Sequence, residues 1–209
     1  NMKIGVFGGT FNPPHKGHTR LVTEFCEKLG LDRVLIIPDK APVHKSAEGL
    51  ESDTDRLNMC RLVFCDKRFE VSDIEIKRDT DSYTVYTLRE IKKIYPDDDL
   101  YLIIGSDMFL MFSMWYEYRE ILSMCTLCVA SRCEEESIDE LRRYSENELK
   151  IPIDGLTGKG IIISPVEPFE ISSTELRSLL KTGESTEKYL DGKVRKYIED
   201  RGLYGYPKK

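Results

Sequence analysis

The chain has 209 residues, 40% of them apolar, and its 31 Lys and Arg against 37 Asp and Glu give a formal net charge of -6. That length closes one large domain without a metal or disulfide staple, and the acidic balance argues against sequence-independent nucleic-acid binding, which rests on many basic phosphate contacts. Residues 1–30 lack a basic start followed by a long apolar segment, and no run of about 18 apolar residues occurs, so secretion and membrane spanning are disfavoured and a cytoplasmic location is expected.

Asn1 ahead of Met2 reads as an appended residue, and one domain over residues 2–209 is expected. Short apolar runs alternate with helical patterns along the chain. KIGVF (3–7) reads as a strand; TRLVTEFCEKLG (19–30) places Leu21, Val22, Phe25, Cys26 and Leu29 on one helical stripe and stops at Gly30. The alternation continues with a strand over 33–38, a helix over 55–64, a strand over 69–76 (FEVSDIEI), a helix over 84–96 and a strand over 100–105. A helix over 115–124, the strand TLCVAS, a helix over 137–150, the strand GIIISP (160–165) and two closing helices, STELRSLLKTG and GKVRKYIEDRG, complete the chain. Continuous apolar strands interleaved with helices predict an α/β fold, a Rossmann-like doubly wound parallel sheet covered on both faces, with C-terminal helices. Such sheets bind ligands beyond the carboxyl ends of their strands.

The stretch GVFGGTFNPPHKGH (5–18) holds two of the three histidines in the chain. Gly8 and Gly9 end the first strand, where missing Cβ atoms let backbone N–H groups turn toward a ligand, and Thr10 adds a hydroxyl. His15 and His18 are three apart, the spacing that puts both side chains on one helical face near a positive helix terminus. The competing reading is a tight turn with solvated cap histidines. Near the other end, ISSTELR (171–177) follows a strand and opens a helix. Ser172 with Glu175 fits the Ser-x-x-Glu capping box, and Ser173 and Arg177 share a face. Free N–H groups, hydroxyls and a guanidinium there suit a polyphosphate; a plain capped helix with a surface arginine is the alternative. Cys125 and Cys128 form a CxxC, but they lie in a buried strand pattern with no second cysteine pair and no adjacent histidines, so reduced structural thiols are expected.

GGTFNPPHKGH and ISSTELR resemble the GGTFDPxHxGH and ISSTxIR signatures of the nucleotidyltransferase α/β-phosphodiesterase superfamily. More narrowly, the chain is similar to the bacterial nicotinate-nucleotide adenylyltransferase family, with PDKAPVHK (38–45), SYTVYTL (82–88) and IIGSDMFLMFSMWYEY (103–118) in matching order. Asn12 stands where Asp is usual, Val43 replaces a proline, and Tyr86 stands where an Asp is common.

The resemblance implies transfer of AMP from ATP to nicotinate mononucleotide, with pyrophosphate leaving. The attacking phosphate has a second pKa of about 6, so it needs no protein base, which agrees with the absence of a Ser–His–Asp or Cys–His arrangement. His15, His18, Lys45 and Arg177 are the expected catalytic groups. Gly8, Gly9, Thr10, Phe11, Gly105, Asp107, Ser172, Ser173 and Thr174 are expected on ATP. Gly105 and Asp107 suit ribose hydroxyls, with a buried structural Asp as the competing reading. Thr84 and the N–H of Tyr116 are expected to take the nicotinate carboxylate, and Trp115 to stack on the pyridine, although a lone tryptophan on an apolar helix also suits the core. Mg2+ is expected to arrive with ATP, held by phosphate and water oxygens, with no dedicated protein metal site. Neither nucleic acid nor membrane is expected as a partner, and a homo-oligomer is compatible with the sequence. The rivals are a phosphopantetheine or cytidylyl transferase, which shares the HxGH chemistry, a nucleotide-sensing module without turnover, and a scaffold without ligand.

Overall fold

Side chains alternate across each strand, and that alternation divides the apolar residues of this chain into two cores. In the computed structural model, which describes residues 1–41, 49–151 and 160–207, six strands form one parallel sheet: β1 (Lys3–Gly9), β2 (Arg33–Pro38), β3 (Phe69–Val71), β4 (Asp99–Gly105), β5 (Cys125–Ser131) and β6 (Ile161–Pro165). Their order is β3-β2-β1-β4-β5-β6. The chain therefore runs outward in one direction from β1 and in the other from β4, and the crevice between those two strands is where doubly wound sheets hold ligands.

Ile4, Val6, Leu100, Leu102, Leu127 and Val129 project to one face. They meet α3 (Thr84–Ile94), α5 (Tyr118–Met124) and α6 (Glu135–Tyr144). Phe7, Val34, Ile36, Ile103 and Cys128 project to the other face, against α1 (Lys16–Leu29) and α2 (Asp53–Val63). Leu176 and Leu180 of α7 (Ser173–Thr182) pack with Val194 and Ile198 of α8 (Gly192–Arg201) and with Met59 of α2, forming a third cluster. Among the described residues no helix is long and apolar enough to cross a membrane. Cys125 belongs to the first core and Cys128 to the second. Three residues apart on a strand, the two thiols point to opposite faces, which is a physical reason why this CxxC cannot chelate.

Four elements depart from the sequence reading by three residues or more at one end. The strand expected over 69–76 pairs only at Phe69–Val71; Ser72 hydroxyl accepts from Ile74 N at 3.3 Å and the chain turns away from the sheet edge. Helix α1 begins at Lys16 rather than 19 because His15 caps it. The helix expected over 115–124 starts only at Tyr118, since Trp115 is extended and Glu117 is left-handed (φ 53°). The helix expected over 137–150 begins at Glu135, stops at Tyr144 and passes into a π-helical turn over Ser145–Leu149, closed by left-handed Lys150.

Candidate active site

Helix α1 is capped by a pair of histidines. His15 Nδ1 accepts from Gly17 N at 3.0 Å and from His18 N at 3.4 Å, while His18 Nδ1 accepts from His15 N at 3.0 Å. This is a reciprocal capping box built with imidazoles. Because each Nδ1 receives an N–H, each neutral ring carries its proton on Nε2. The rings stack at a centroid distance of 3.6 Å, and the ring of Phe169 lies on the other side of His15 at 4.0 Å and 3° from parallel. Burial lowers the His15 pKa to about 4; burial, and then the nearby His15, push His18 well below the usual imidazole range. The cap reading of the histidines is therefore right in part, but His15 is buried and His18 half-buried rather than solvated.

A cleft of about 650 Å³ opens beside this pair, lined by His15, His18, Gly105, Asp107, Ser131 and Ser173 among others. Gly105 ends β4, and a Cβ built there would meet nothing within 4 Å, so its backbone faces open space. Asp107 is exposed in the short helix α4 (Ser106–Phe109), which removes the buried structural alternative. Ser131 hydroxyl is buried, with no hydrogen-bond partner among the described residues.

A second cavity of about 330 Å³ lies across Met108, which borders both. Gly8, Gly9 and Thr10 form part of its wall with Thr84 and Trp115, so the glycine pair faces this smaller space rather than the histidine cleft. Trp115 is partly buried and tilted against Phe112 at 4.9 Å, so it joins the core with part of its surface and walls the cavity with the rest. Tyr116 is exposed and sits in an aromatic cluster with Tyr83 and Tyr86, at 4.8 and 5.9 Å. Phe11, also assigned to ATP, is fully buried with a left-handed backbone (φ 50°) and packs edge to face with His18, the ring centroids 5.0 Å apart.

The two distant signatures meet. Arg177 Nη1 donates to the carbonyl of Asn12 at 2.9 Å, and its Nη2 to Thr174 Oγ1 at 3.3 Å. Ser172 is occupied as the cap of α7, with its hydroxyl accepting from Glu175 N at 3.0 Å; Ser173 reaches the histidine cleft. Thr174 and Arg177 border a third cavity of about 550 Å³. Lys45, and with it Val43, lies outside the described residues.

Asn12 stands at the centre of this junction. Its Nδ2 donates to Gly49 O at 2.8 Å, while its Oδ1 accepts from Tyr204 hydroxyl at 2.6 Å and Glu51 N at 3.2 Å. An Asp would supply the acceptor but not the donor, which accounts for the departure from the usual signature. Three further residues escape a sequence reading. Arg56 is fully buried and donates to the carbonyls of Thr10, Asp39 and Glu51 at 2.7, 2.9 and 3.1 Å and to the carboxylates of Asp39 and Asp53, joining the ends of β1 and β2 to α2. Phe169 and Tyr204 are the others. No local pattern marks any of the three, because their partners are remote in sequence.

The signatures thus converge at the β1/β4 crevice of a parallel sheet in the order 3-2-1-4-5-6. The model of the cytidylyltransferase-like family matches residues 6–179, and the chain belongs to that family. A probable nicotinate-nucleotide adenylyltransferase of Shewanella sediminis (strain HAW-EB3) is 38% identical, covering 99% of this chain and all 100% of that protein. One of Geobacter sulfurreducens is 36% identical over 98% of this chain and 99% of that protein. Likeness at this level along the whole length places the chain among the nicotinate-nucleotide adenylyltransferases. Two solved structures share the fold. The Plasmodium falciparum nicotinic acid mononucleotide adenylyltransferase complexed with NaAD has a TM-score of 0.76 at 18% identity, over 99% of each chain. A putative nicotinate-nucleotide adenylyltransferase from Vibrio parahaemolyticus has 0.68 at 22%, over 99% and 98%.

Proposed function

We propose that the chain, as one nucleotidyltransferase domain over residues 2–209, transfers AMP from ATP to nicotinate mononucleotide, giving nicotinate adenine dinucleotide and pyrophosphate, a step of NAD biosynthesis. The observation that carries this reading is the pair of adjoining cavities at the sheet crevice: one holds two Nε2–H imidazoles and Ser173, the other Trp115 and Thr84. A triphosphate suits the first and a pyridine nucleotide the second, with Met108 at their common border.

In this reading the phosphate of nicotinate mononucleotide attacks the α-phosphorus of ATP in line, and the P–O bond to pyrophosphate breaks. The attacking phosphate is already an anion, so the protein orients two repelling anions and stabilises charge developing on the bridging oxygen and the leaving group. His15 and His18 donate from Nε2 to the phosphates. Arg177, on the carbonyl of Asn12 and bordering the third cavity rather than the cleft, is assigned the outer end of the polyphosphate, and Lys45 completes the charge. Backbone N–H groups at Ser173 and Thr174 add donors. Gly105 and Asp107 take a ribose, and Trp115 stacks on the pyridine.

Mg2+ bound to ATP would supply charge shielding on the phosphates, held by phosphate and water oxygens rather than by protein side chains. The donor set of the cleft fits this, since Glu24, Asp107 and Glu167 line it singly and among the described residues no three His, Cys, Asp or Glu side chains converge as a cage. We assign the chain to the cytoplasm and expect no nucleic-acid or membrane partner. Pyrophosphate release from Mg-ATP and nicotinate mononucleotide tests the assignment: release is expected, and its absence with a folded protein refutes it.

A further inference from the structure

The wall of the smaller cavity carries charge of one sign. Asp39, one residue beyond β2, and Glu75, in the turn after β3, both line it with Thr84, Thr87 and Trp115, and no Lys, Arg or His is among its described lining residues. A wall of carboxylates repels an anion and gives a neutral ring nothing. Carboxylates combined with an aromatic face attract a cation. We propose that Glu75 is a specificity-determining residue that reads the positive charge of the substrate ring, so that the pocket prefers an N-glycosylated pyridinium to an uncharged ring of the same shape. The inference rests on the function proposed above and deepens it.

Two carboxylates line the cavity, and they are held differently. Asp39 is matched by Arg56 Nη1 at 3.1 Å and by Thr10 hydroxyl at 3.1 Å. Glu75 is met by a hydroxyl: Thr87 Oγ1 donates to its Oε2 at 3.2 Å. The nearest guanidinium, Arg78, donates to that same Thr87 oxygen at 3.1 Å and to Glu90 Oε1 at 3.0 and 2.8 Å. Lys40 is directed to the carbonyl of Arg78 at 2.7 Å. Burial pushes the Glu75 carboxyl up to about 7; Thr87 and Arg78 favour its ionised form, while Asp39 and Glu90 oppose it. Near neutrality Glu75 is thus poised between two protonation states, and a cation entering the pocket drives it to the charged one with release of a proton. The substrate carboxylate meets a different part of the same wall. Helix α3 starts at Thr84 with no side-chain cap and no acid in its first turn, so its leading N–H groups suit an anion.

Trp115 is the only tryptophan in the chain, so its fluorescence reports occupancy of the pocket directly. Nicotinate mononucleotide and its dihydro form, whose ring is uncharged, are titrated into the full chain and into the Glu75→Gln and Glu75→Asp variants at about pH 6 and about pH 8. At the higher pH, Glu75→Gln is expected to weaken the pyridinium form about fivefold and the dihydro form less than about twofold. Toward the lower pH the loss for the pyridinium form shrinks, because wild-type Glu75 is then largely neutral. Glu75→Asp retains the preference for the charged ring. Undiminished pyridinium binding by Glu75→Gln at the higher pH, or an equal loss for both ring states, overturns the proposal. Wild-type pyrophosphate release separates the two levels: if it occurs and Glu75→Gln behaves as wild type, only the role of Glu75 falls, whereas its absence removes the underlying function as well.

Discussion

Replacing Asn12 by Asp changes one atom in a buried junction, and its consequence follows from three hydrogen bonds. Asn12 is 9% exposed. In the Asn12→Asp variant the two bonds to Oδ1 from Tyr204 and Glu51 remain, but an oxygen replaces Nδ2 at 2.8 Å from the carbonyl of Gly49. The lost bond costs about 1 kcal/mol, and two buried acceptors left facing each other cost a further 1–3 kcal/mol or so. Charging Oδ1 strengthens the bonds from Tyr204 and Glu51 and recovers about 1 kcal/mol. The net expectation is a loss of about 1–3 kcal/mol at neutral pH. When protonated, the introduced carboxyl has an O–H to give to Gly49, as the amide did, so its folded pKa rises above the unfolded value of about 3.9. Its contribution is then fully present below that value and is lost as pH rises through the raised folded pKa. Urea unfolding of wild type and Asn12→Asp at pH 7 and pH 4.5 measures this: the gap in midpoint should be wide at the higher pH and narrower at the lower. Equal stability at pH 7, or a gap that widens on acidification, would refute the account of Asn12 as a donor to Gly49.

Three further outcomes follow from the histidine pair. His15→Asn keeps a good helix cap but removes the Nε2 donor, so unfolding free energy should fall by only about 1 kcal/mol while turnover drops about a hundredfold or more; parallel losses in urea denaturation and pyrophosphate release would contradict the assignment. Gly17→Ala would place a Cβ 2.7 Å from the Phe169 ring and 2.8 Å from His15 Cε1. Overpacking of about 1–3 kcal/mol then outweighs the gain of about 1 kcal/mol from helix propensity, so both thermal stability and turnover should decline. Because a proton added to His15 would sit on Nδ1 and displace the bond from Gly17 N, and because burial lowers its pKa to about 4, His15 should meet a triphosphate near pH 5.5 as a neutral Nε2–H donor. Calorimetry in buffers of different ionisation enthalpy should find the same proton uptake by wild type and His15→Asn, a comparison in which the phosphate's own proton cancels; greater uptake by wild type would contradict it.

The sheet was legible because β1, β2, β4, β5 and β6 are buried on both faces and read as unbroken apolar runs, while Gly30 and Gly183 mark helix ends by their left-handed backbones. The end of β3 was not, because FEVSDIEI continues its alternation past the point where the Ser72 turn takes the chain off the edge. The start of α1 was hidden by an unusual cap, imidazole in place of the common Ser, Thr, Asp or Asn. Within the site, His15, His18 and Ser173 stood out by spacing and motif, and Thr84 and Trp115 through the family resemblance. Arg56 did not: DTDRLNMC reads as a solvated helix start, and its burial is decided by Thr10 and Asp39, 46 and 17 residues away. Phe169 escaped for the same reason, since an aromatic ring in a loop shows no periodicity from which a stack on His15 could be read.

The stack itself explains why this cleft relies on histidine where a lysine or arginine pair would carry more charge. Two permanent cations with ring or head-group centres 3.6 Å apart would repel each other and lose hydration in the empty protein, a cost that burial makes severe. Neutral imidazoles avoid both, and each can cap α1 through Nδ1 while offering Nε2–H outward. A proton added to either ring would sit on Nδ1 and break that cap, so burial and capping together keep the pair neutral. The donors are in place before the ligand and meet a polyphosphate without a protonation step. Phe169 stacks on His15 and Phe11 packs edge to face with His18, which holds both Nε2 donors in one orientation. Loss of the α1 cap on triphosphate binding, read as faster hydrogen exchange at Gly17 and His18, would contradict this.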